Sequence, residues 1–384
     1  MNLQRCLLAA ALAIAVTAAP AARAEIAIDS IAGSDVSFEG LVQVDFNWFH
    51  SDVANLNGDA LDGSDFDQEL RRAELVLKGK GPGNFEWVLG YDGKADKFLD
   101  VNARYKLGGD SNHFLQLGQF KQPNSMEELS STKNNDFISK ATITNTFAVG
   151  RRVGVGYGYG SGNWSVNASY FGRELTRNLA HGSGYGLRGT FAPINEKGNV
   201  LHFGLSYVNH DTDADTLRLR ARPNADLAGV RLVDTGNMTD TDRLATTGFE
   251  SIWVRGPFKL QGEYMQTSVK RYRAGNSNFK GSGGYVSGVW NLTGESWGYK
   301  GGTPTTPLPD EPGRGMWQVG VRYDKLDLND TGVPGGAMDM WTAGVNWYWR
   351  SNFKFMLNHV KVNSERRGLD DNPGITEARL QFYW

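Results

Sequence analysis

The sequence predicts an all-β chain: a sixteen-stranded antiparallel transmembrane β-barrel with an inward-folded third outer loop. Three observations predict it. Segments that alternate between apolar and polar residues recur along the chain, and a strand with that period has two faces in two different solvents. The N-terminus carries an export signal, with Arg5 as its basic start, an apolar stretch over 7–16, and Ala22-Arg23-Ala24 as a small-x-small cleavage site. After residue 24 no stretch has the roughly 20 apolar residues that a spanning helix needs. The 19 Phe, 11 Trp, 14 Tyr and 48 Gly instead suit membrane-interface girdles, tight turns and crowded barrel walls.

Cleavage is expected after Ala24, so the chain divides into a signal peptide, 1–24, and a single barrel domain, 25–384. Cys6 is the only cysteine and lies in the segment that is removed. Disulfides, thiol chemistry and cysteine-ligated metals are therefore excluded. The 40 basic side chains are balanced by 42 acidic ones. A nucleic-acid-binding domain would be strongly basic, so no nucleic-acid partner is expected.

Taken in order, the strands begin with 36–49 and 68–78, the second ending in the turn Gly79-Lys80-Gly81-Pro82-Gly83. Phe85, Trp87, Leu89 and Tyr91 line one face of the third, with Glu86, Gly90 and Asp92 opposite. The fourth turns Leu99, Val101, Ala103, Tyr105 and Leu107 outward, against Asp100, Asn102, Arg104 and Lys106. The fifth covers 113–121. Val153, Val155, Tyr157 and Tyr159 mark the sixth, and Trp164, Val166, Ala168 and Tyr170 the seventh. The remaining strands are expected at 185–191, 200–209, 247–255, 258–269, 284–292, 316–326, 340–349, 352–362 and 375–384. In the last, Thr376, Ala378, Leu380, Phe382 and Trp384 share one face, and Ile375, Glu377, Arg379, Gln381 and Tyr383 the other. A strand that closes a barrel against lipid has reason to end on an aromatic; a strand of a soluble sandwich is the competing reading.

Parity assigns the loops. A single-chain bacterial barrel has an even number of strands, so 216–222 belongs inside the fifth long loop and is not a seventeenth strand. The connections 50–67, 121–150, 172–183, 210–245, 270–283, 327–338 and 363–374 then face outside. The Gly/Pro-rich stretch 293–314 falls on the periplasmic side, and nothing in the sequence accounts for its length.

Sixteen strands enclose a lumen too wide for wall side chains to fill. Loop 121–150 is the segment suited to narrowing it, because Leu129, Phe137, Ile138 and Phe147 are more apolar than a solvated loop needs. Folding inward brings Lys121, Lys133, Lys140, Arg151 and Arg152 to the constriction. A second basic feature is Arg218, Arg220 and Arg222, at spacing two and so roughly 6–7 Å apart along an extended edge. The arginine fork bonds phosphate oxygens in pairs, and a row of such sites passes an anion along without trapping it. A loop lying on lipopolysaccharide phosphates is the alternative. Arg71 and Arg72 open the second strand, where neighbours point to opposite faces. Arg72, with Glu74 and Val76, is the lumen candidate, and Arg71 shares its face with Ala73, Leu75 and Leu77.

Inward acids at Glu74, Asp92, Asp100, Glu250 and Glu263 make the lumen charge mixed, so composition alone does not choose between anion and cation. The histidines at 50, 113, 181, 202, 210 and 359 show no metal-ligand spacing. Gly154-x-Gly156-x-Gly158 lies in a strand, not before a phosphate-cradling helix. No metal or cofactor is expected, and an enzyme reading rests only on the presence of serine, histidine and acid.

Several stretches carry a resemblance. They are Arg71-Arg72-Ala73-Glu74-Leu75, Gly118-Gln119-Phe120-Lys121-Gln122-Pro123 leading to Glu127-Glu128-Leu129-Ser130-Ser131, and Gly150-Arg151-Arg152-Val153-Gly154-Val155. Gly256-Pro257-Phe258-Lys259-Leu260-Gln261-Gly262-Glu263-Tyr264, Leu292-Thr293-Gly294-Glu295, Asn346-Trp347-Tyr348 and Arg379-Leu380-Gln381 follow in order. Over nearly its whole mature length the chain resembles the phosphate-selective porin O and P family. The resemblance implies a trimer of sixteen-stranded barrels in which an arginine ladder feeds a central arginine and lysine site. By motif, Arg71 and Arg72 match the paired arginines of the second strand. Arg218, Arg220 and Arg222 look like the loop segment of the ladder, and Lys133 sits near the loop lysine.

The family loop usually continues as Phe-x-Glu-Arg-Ser, where this chain has Phe137-Ile138-Ser139-Lys140. Lysine there loses bidentate geometry. Asn134, Asn135 and Asp136 also depart from the pattern, and Trp384 replaces the commoner phenylalanine. The expectation is an integral outer-membrane porin of a Gram-negative bacterium, a trimer among lipid and lipopolysaccharide. It would pass small anions passively, phosphate or polyphosphate foremost. A general or cation-leaning porin is the alternative, and a barrel enzyme or adhesion protein belongs to a different class.

Overall fold

A strand in hydrocarbon is stable only if every main-chain N–H and C=O finds a protein partner, which requires a sheet without free edges. The computed structural model describes residues 26–31, 33–58, 63–176 and 182–384, and sixteen strands supply that closure. They are β1 Ser34–His50, β2 Phe66–Lys80, β3 Phe85–Asp92, β4 Lys97–Lys106, β5 His113–Lys121 and β6 Arg151–Ser161. Next come β7 Trp164–Phe171, β8 Gly184–Glu196, β9 Asn199–Asp211, β10 Thr241–Arg255 and β11 Phe258–Arg271. β12 Phe279–Asn291, β13 Met316–Asp330, β14 Val333–Trp349, β15 Phe353–Arg366 and β16 Gly374–Tyr383 complete the set.

Each strand pairs antiparallel with its sequence neighbour. β16 returns to β1, from Leu41 opposite Tyr383 to His50 opposite Gly374. Two short strands, Ile26–Ile31 on β1 and Leu369–Asp371 on β15, extend the sheet outside this closure. The expected signal segment, with Cys6, and His181 lie outside the described residues. No helix among the described residues is long and apolar enough to cross a membrane, and the crossing is made by strands.

The two faces are the reverse of a soluble protein's. Leu89, Leu117, Leu205, Leu260, Val321 and Leu357 are exposed on the outside, while Gln43, Asp45, Arg188, Glu250, Asp324 and Arg379 are buried on the inside. Aromatic pairs ring the end that carries the short turns: Phe85 with Tyr105 at 4.9 Å, Tyr159 with Trp164 at 5.4 Å, Phe258 with Trp290 at 5.1 Å and Phe382 with Trp384 at 5.4 Å. Such a girdle sits at the interface between lipid and water.

Irregularities in the ladder correct three expectations. Gln43 pairs with Arg72 and Val44 with Leu70, so Arg71 is an extra residue in β2. This bulge breaks the alternation and turns both arginines inward. Leu89 pairs with Val101 but Tyr91 with Phe98, so Leu99 faces the lumen and Phe98 takes the outward position. Half of the connection expected over 270–283, and most of that over 327–338, is strand. β13 and β14 join through Thr331 and Gly332, the glycine at φ 76°. β10 likewise begins at Thr241, before the expected 247. Residues 216–222 lie within the β9–β10 connection, as parity required. There Thr216–Leu217 pairs with Met238–Thr239 and Arg220–Ala221 with Val233–Asp234.

The apolar core lies inside the tube. Ile143 and Phe147 from the β5–β6 loop pack with Leu219, Ala221, Ala225 and Leu232 from the β9–β10 loop, against Met340, Val360 and Ile375 of the wall. Gly283 lets Ile143 approach: a Cβ there would stand 2.5 Å from its Cγ2.

Candidate functional site

The β5–β6 loop carries two short helices, α1 Met126–Leu129 and α2 Thr142–Phe147, each with main-chain N–H groups unpaired at its start. Wall and loop carboxylates accept from them. Glu263 on β11 accepts from the N–H groups of Met126 (3.0 Å) and Glu127 (2.8 Å). Asp324 on β13 accepts from the N–H of Thr142 at 3.0 Å and from its hydroxyl. Glu127 accepts from the N–H of Ala141 at 3.0 Å.

Between the helices the chain is fastened across the far wall. Lys259 pairs with Asp136 at 2.6 Å, and Asn346 donates to the Asp136 carbonyl at 2.7 Å. Lys354 donates to the Asn135 carbonyl, Arg322 to that of Ser139 at 3.0 Å, and Arg379 to that of Ile138 at 2.7 Å. Asn135 and Asp136 are thus attachment points.

The stretch expected at 293–314 closes in from below. It forms a hairpin, Gly298–Lys300 against Thr303–Thr305, that reaches the inner wall. Arg188 donates to the Gly302 carbonyl at 2.8 Å, and His202 meets the Tyr299 hydroxyl at 2.6 Å. The Trp297 indole donates to the Pro257 carbonyl at 3.1 Å, with Lys259 over its ring at 3.9 Å. Thr306 donates to the Asn134 carbonyl at 3.2 Å, so hairpin and loop meet. The length of this connection is what the inward reach requires.

With the far wall covered, an open passage remains against β1–β7. A cavity of about 460 Å³ is lined by Glu39, Glu74, Asp100, Arg104, Lys121, Lys133 and Arg151, among others. A second, of about 680 Å³, shares Glu86, Arg104, Gln116 and Lys121 with it and reaches the turns at 107–112 and 162–163.

Most charges here are paired. Arg72 lies 3.2 Å from Glu74 and donates to Gln43; Arg71 donates to Asp226 at 3.0 and 3.1 Å. Lys78 pairs with Glu39 at 2.6 Å, and Lys133 stands 3.8 Å from the same carboxylate. Arg151 pairs with Asp100 at 2.7 Å, and Lys140 pairs with Glu128. Burial raises the Glu128 carboxyl, but Lys140 and Lys121 outweigh it and hold it at about 2.

Lys121 differs. Its ammonium donates to the carbonyls of Glu128 and Ser130, and among the described residues no carboxylate is within ion-pair distance of it. Arg152 does not share this setting. It is buried, donates to the Gly172 carbonyl at 3.3 Å and lies 5.8 Å from the Phe171 ring.

The inward acids that made the charge ambiguous are all engaged. Glu263 holds α1, Glu250 binds Arg188 and His202, and Asp100 and Glu74 are paired as above. Asp92 accepts from the N–H groups of Ala73 and Lys94.

Toward the outer side, Arg218 pairs with Asp234, while Arg220 and Arg222 are exposed. Burial lowers the Arg222 guanidinium, and Arg71 and Arg220 add to this against the opposing Asp226. Burial also lowers that of Arg231, with Arg222 and Arg220 adding their like charge. Arg231 therefore lies close to Arg220 and Arg222, although its place in the sequence carries no spacing signal. Arg104 was assigned to the inner face by alternation, but nothing in the sequence shows which acids beside it are already paired. Among the described residues, no three His, Asp or Glu side chains are grouped to hold a metal ion.

A model of the phosphate-selective porin O and P family matches residues 42–384. An uncharacterized protein of Caulobacter vibrioides is 30% identical over 337 residues, covering 83% of this chain; the chain spans only 65% of that relative's length. Porin O of Pseudomonas aeruginosa is 26% identical over 392 residues, covering 89% of this chain and 87% of the relative. Among solved structures, the outer membrane channel DcaP of Acinetobacter baumannii superposes with a TM-score of 0.60 at 12% identity, over 94% of this chain and all of that one.

Proposed function

The chain belongs to the phosphate-selective porin O and P family and is therefore a channel of the Gram-negative outer membrane, not an enzyme; from this premise we propose that it passes small anions passively, with phosphate or polyphosphate preferred. Anions are gathered at the outer mouth by Arg220, Arg222 and Arg231 and by Arg71 below them. Arg72 and Arg151, each paired with a carboxylate, line the descent toward Lys121. Lys133 and Lys140 flank that constriction, and Arg152 supports the wall behind it. Arg218, held by Asp234, sets the edge from which its two neighbours project. The assembly is a trimer, and the outermost basic loops meet lipopolysaccharide.

The single observation that carries the anion reading is Lys121. Its positive charge faces the cavity while main-chain carbonyls, not a carboxylate, hold it in place. An ammonium so held replaces part of an anion's hydration but binds it weakly enough for release, as flux requires. Among the described residues none of the inward acids is within ion-pair distance of Lys121: Glu74, Asp100 and Glu250 are paired with other cations, and Asp92 and Glu263 accept from main-chain N–H groups.

The test is the zero-current potential of the purified protein in planar bilayers under a salt gradient, followed by phosphate titration into chloride. The expected outcome is an anion-selective potential and a chloride current that phosphate blocks. A cation-selective or unselective potential would leave a general porin and remove the phosphate claim.

A further inference from the structure

We propose that Arg104 is a second anion site, on the periplasmic side of the constriction, at which a small oxyanion rests after leaving Lys121. The inference rests on the anion-channel reading and adds a residue and a step to it.

Three observations place the site. Arg104 lines both cavities and so stands where one opens into the other. Its guanidinium carbon sits over the Phe114 ring, 3.9 Å from the centroid, a contact that holds the group in place and leaves N–H donors for ligands. Its charge is not cancelled. Glu86, opposite Arg104 in the β3–β4 register, pairs with Lys106 at 3.2 Å, and Asp100, four residues before it on β4, pairs with Arg151 at 2.7 Å. Three cations and two carboxylates leave one positive charge. Among the described residues no carboxylate lies within ion-pair distance of Arg104; its guanidinium donates to the Gln116 amide oxygen at 3.4 Å.

The surroundings suit an oxyanion that is held loosely. Gln116 donates to Asn102 at 2.9 Å, so neutral amides border the guanidinium. Arg104 is paired in register with Gln116, five residues along β5 from Lys121. At about 3.4 Å per residue that is roughly 17 Å, too far for one anion to touch both. Two weak sites in series let an arriving anion help displace the one ahead, whereas one strong site would trap it.

The experiment compares wild type with Arg104→Gln and Arg104→Lys in planar bilayers, adding inorganic phosphate to one side at a time. Phosphate from the short-turn side meets Arg104 before Lys121. In Arg104→Gln its blocking on-rate from that side should fall about threefold or more, while the rate from the loop side changes less. Arg104→Lys keeps the charge and should recover most of the loss.

The chloride reversal potential is the second readout. It should shift toward cations in Arg104→Gln whether or not phosphate blocks. An unblocked wild type would count against the phosphate reading alone, and the reversal potentials would still decide on Arg104. A folded Arg104→Gln with wild-type reversal potential, and with any phosphate block unchanged from both sides, overturns the site.

Discussion

Arg71 and Arg72 are neighbours in sequence and, through the bulge opposite Gln43 and Val44, neighbours in the lumen as well. Strict alternation assigned one of them to lipid, and one inserted residue reverses that assignment. Much else at this scale was legible: an inward row such as Asn102, Arg104 and Lys106 follows from period two alone. Pairing was not. Whether Lys121 meets a carboxylate or two carbonyls depends on how loop residues Glu128 and Ser130 come to rest. The row Arg218, Arg220 and Arg222 was legible as spacing, but the nearby Arg231 was not. Replacing Arg218, Arg220 and Arg222 together with glutamate should lower the phosphate on-rate from the loop side by about tenfold, because it reverses the field at the mouth. The loss should shrink as salt rises, since exposed charges are screened. Current-fluctuation analysis at two salt concentrations checks both statements, and unchanged selectivity in a folded barrel would refute the ladder.

Two loops share one anchor. Asp324 accepts from Thr142 of the β5–β6 loop and, at 2.9 Å, from Asn224 of the β9–β10 loop. The inward fold of the first loop was readable from Phe137, Ile138 and Phe147, which no solvated loop would carry. Its docking was not, because wall anchors such as Glu263, Asp324, Lys259 and Arg379 lie more than a hundred residues away. The hairpin at 298–305 was opaque for the same reason: its partners Arg188 and His202 sit on β8 and β9. Removing Asp324 should therefore loosen both loops and leave the barrel intact, since the wall is joined by main-chain bonds. A hydrogen bond to a buried charge contributes about 1.5–3 kcal/mol, so losing three should free the loops to fluctuate. Asp324→Ala is expected to raise single-channel conductance and open-channel noise and to reduce anion selectivity, with unaltered heat-modifiability on gels. A quiet channel of wild-type conductance would mean that Glu263 and Lys259 suffice to hold the first loop.

The barrel as a whole is uneven in height, and that bears on how it sits in the membrane. Strand number followed from parity, but strand length did not, because outward loops on one side turned out to be strand. β13 and β14 have 15 and 17 residues, whereas β3 and β7 have 8. Eight residues extend about 26 Å, and a tilt near 40° leaves about 20 Å of depth. The apolar band of such barrels is about 25 Å tall, so the low wall cannot meet it alone. That wall nevertheless exposes large apolar side chains, Leu117 at 65% and Tyr170 at 61%. A neighbouring subunit against β3–β7, as in the proposed trimer, would cover the shortfall and would leave the tall wall to lipid. Light scattering in mild detergent should therefore give three chains per particle. Leu117→Asp on the low wall should yield monomers. Leu357→Asp, equally apolar and outward but on β15, should remain trimeric. If both variants stay trimeric, the contact lies on another part of the wall; a monomeric wild type would reject the trimer itself.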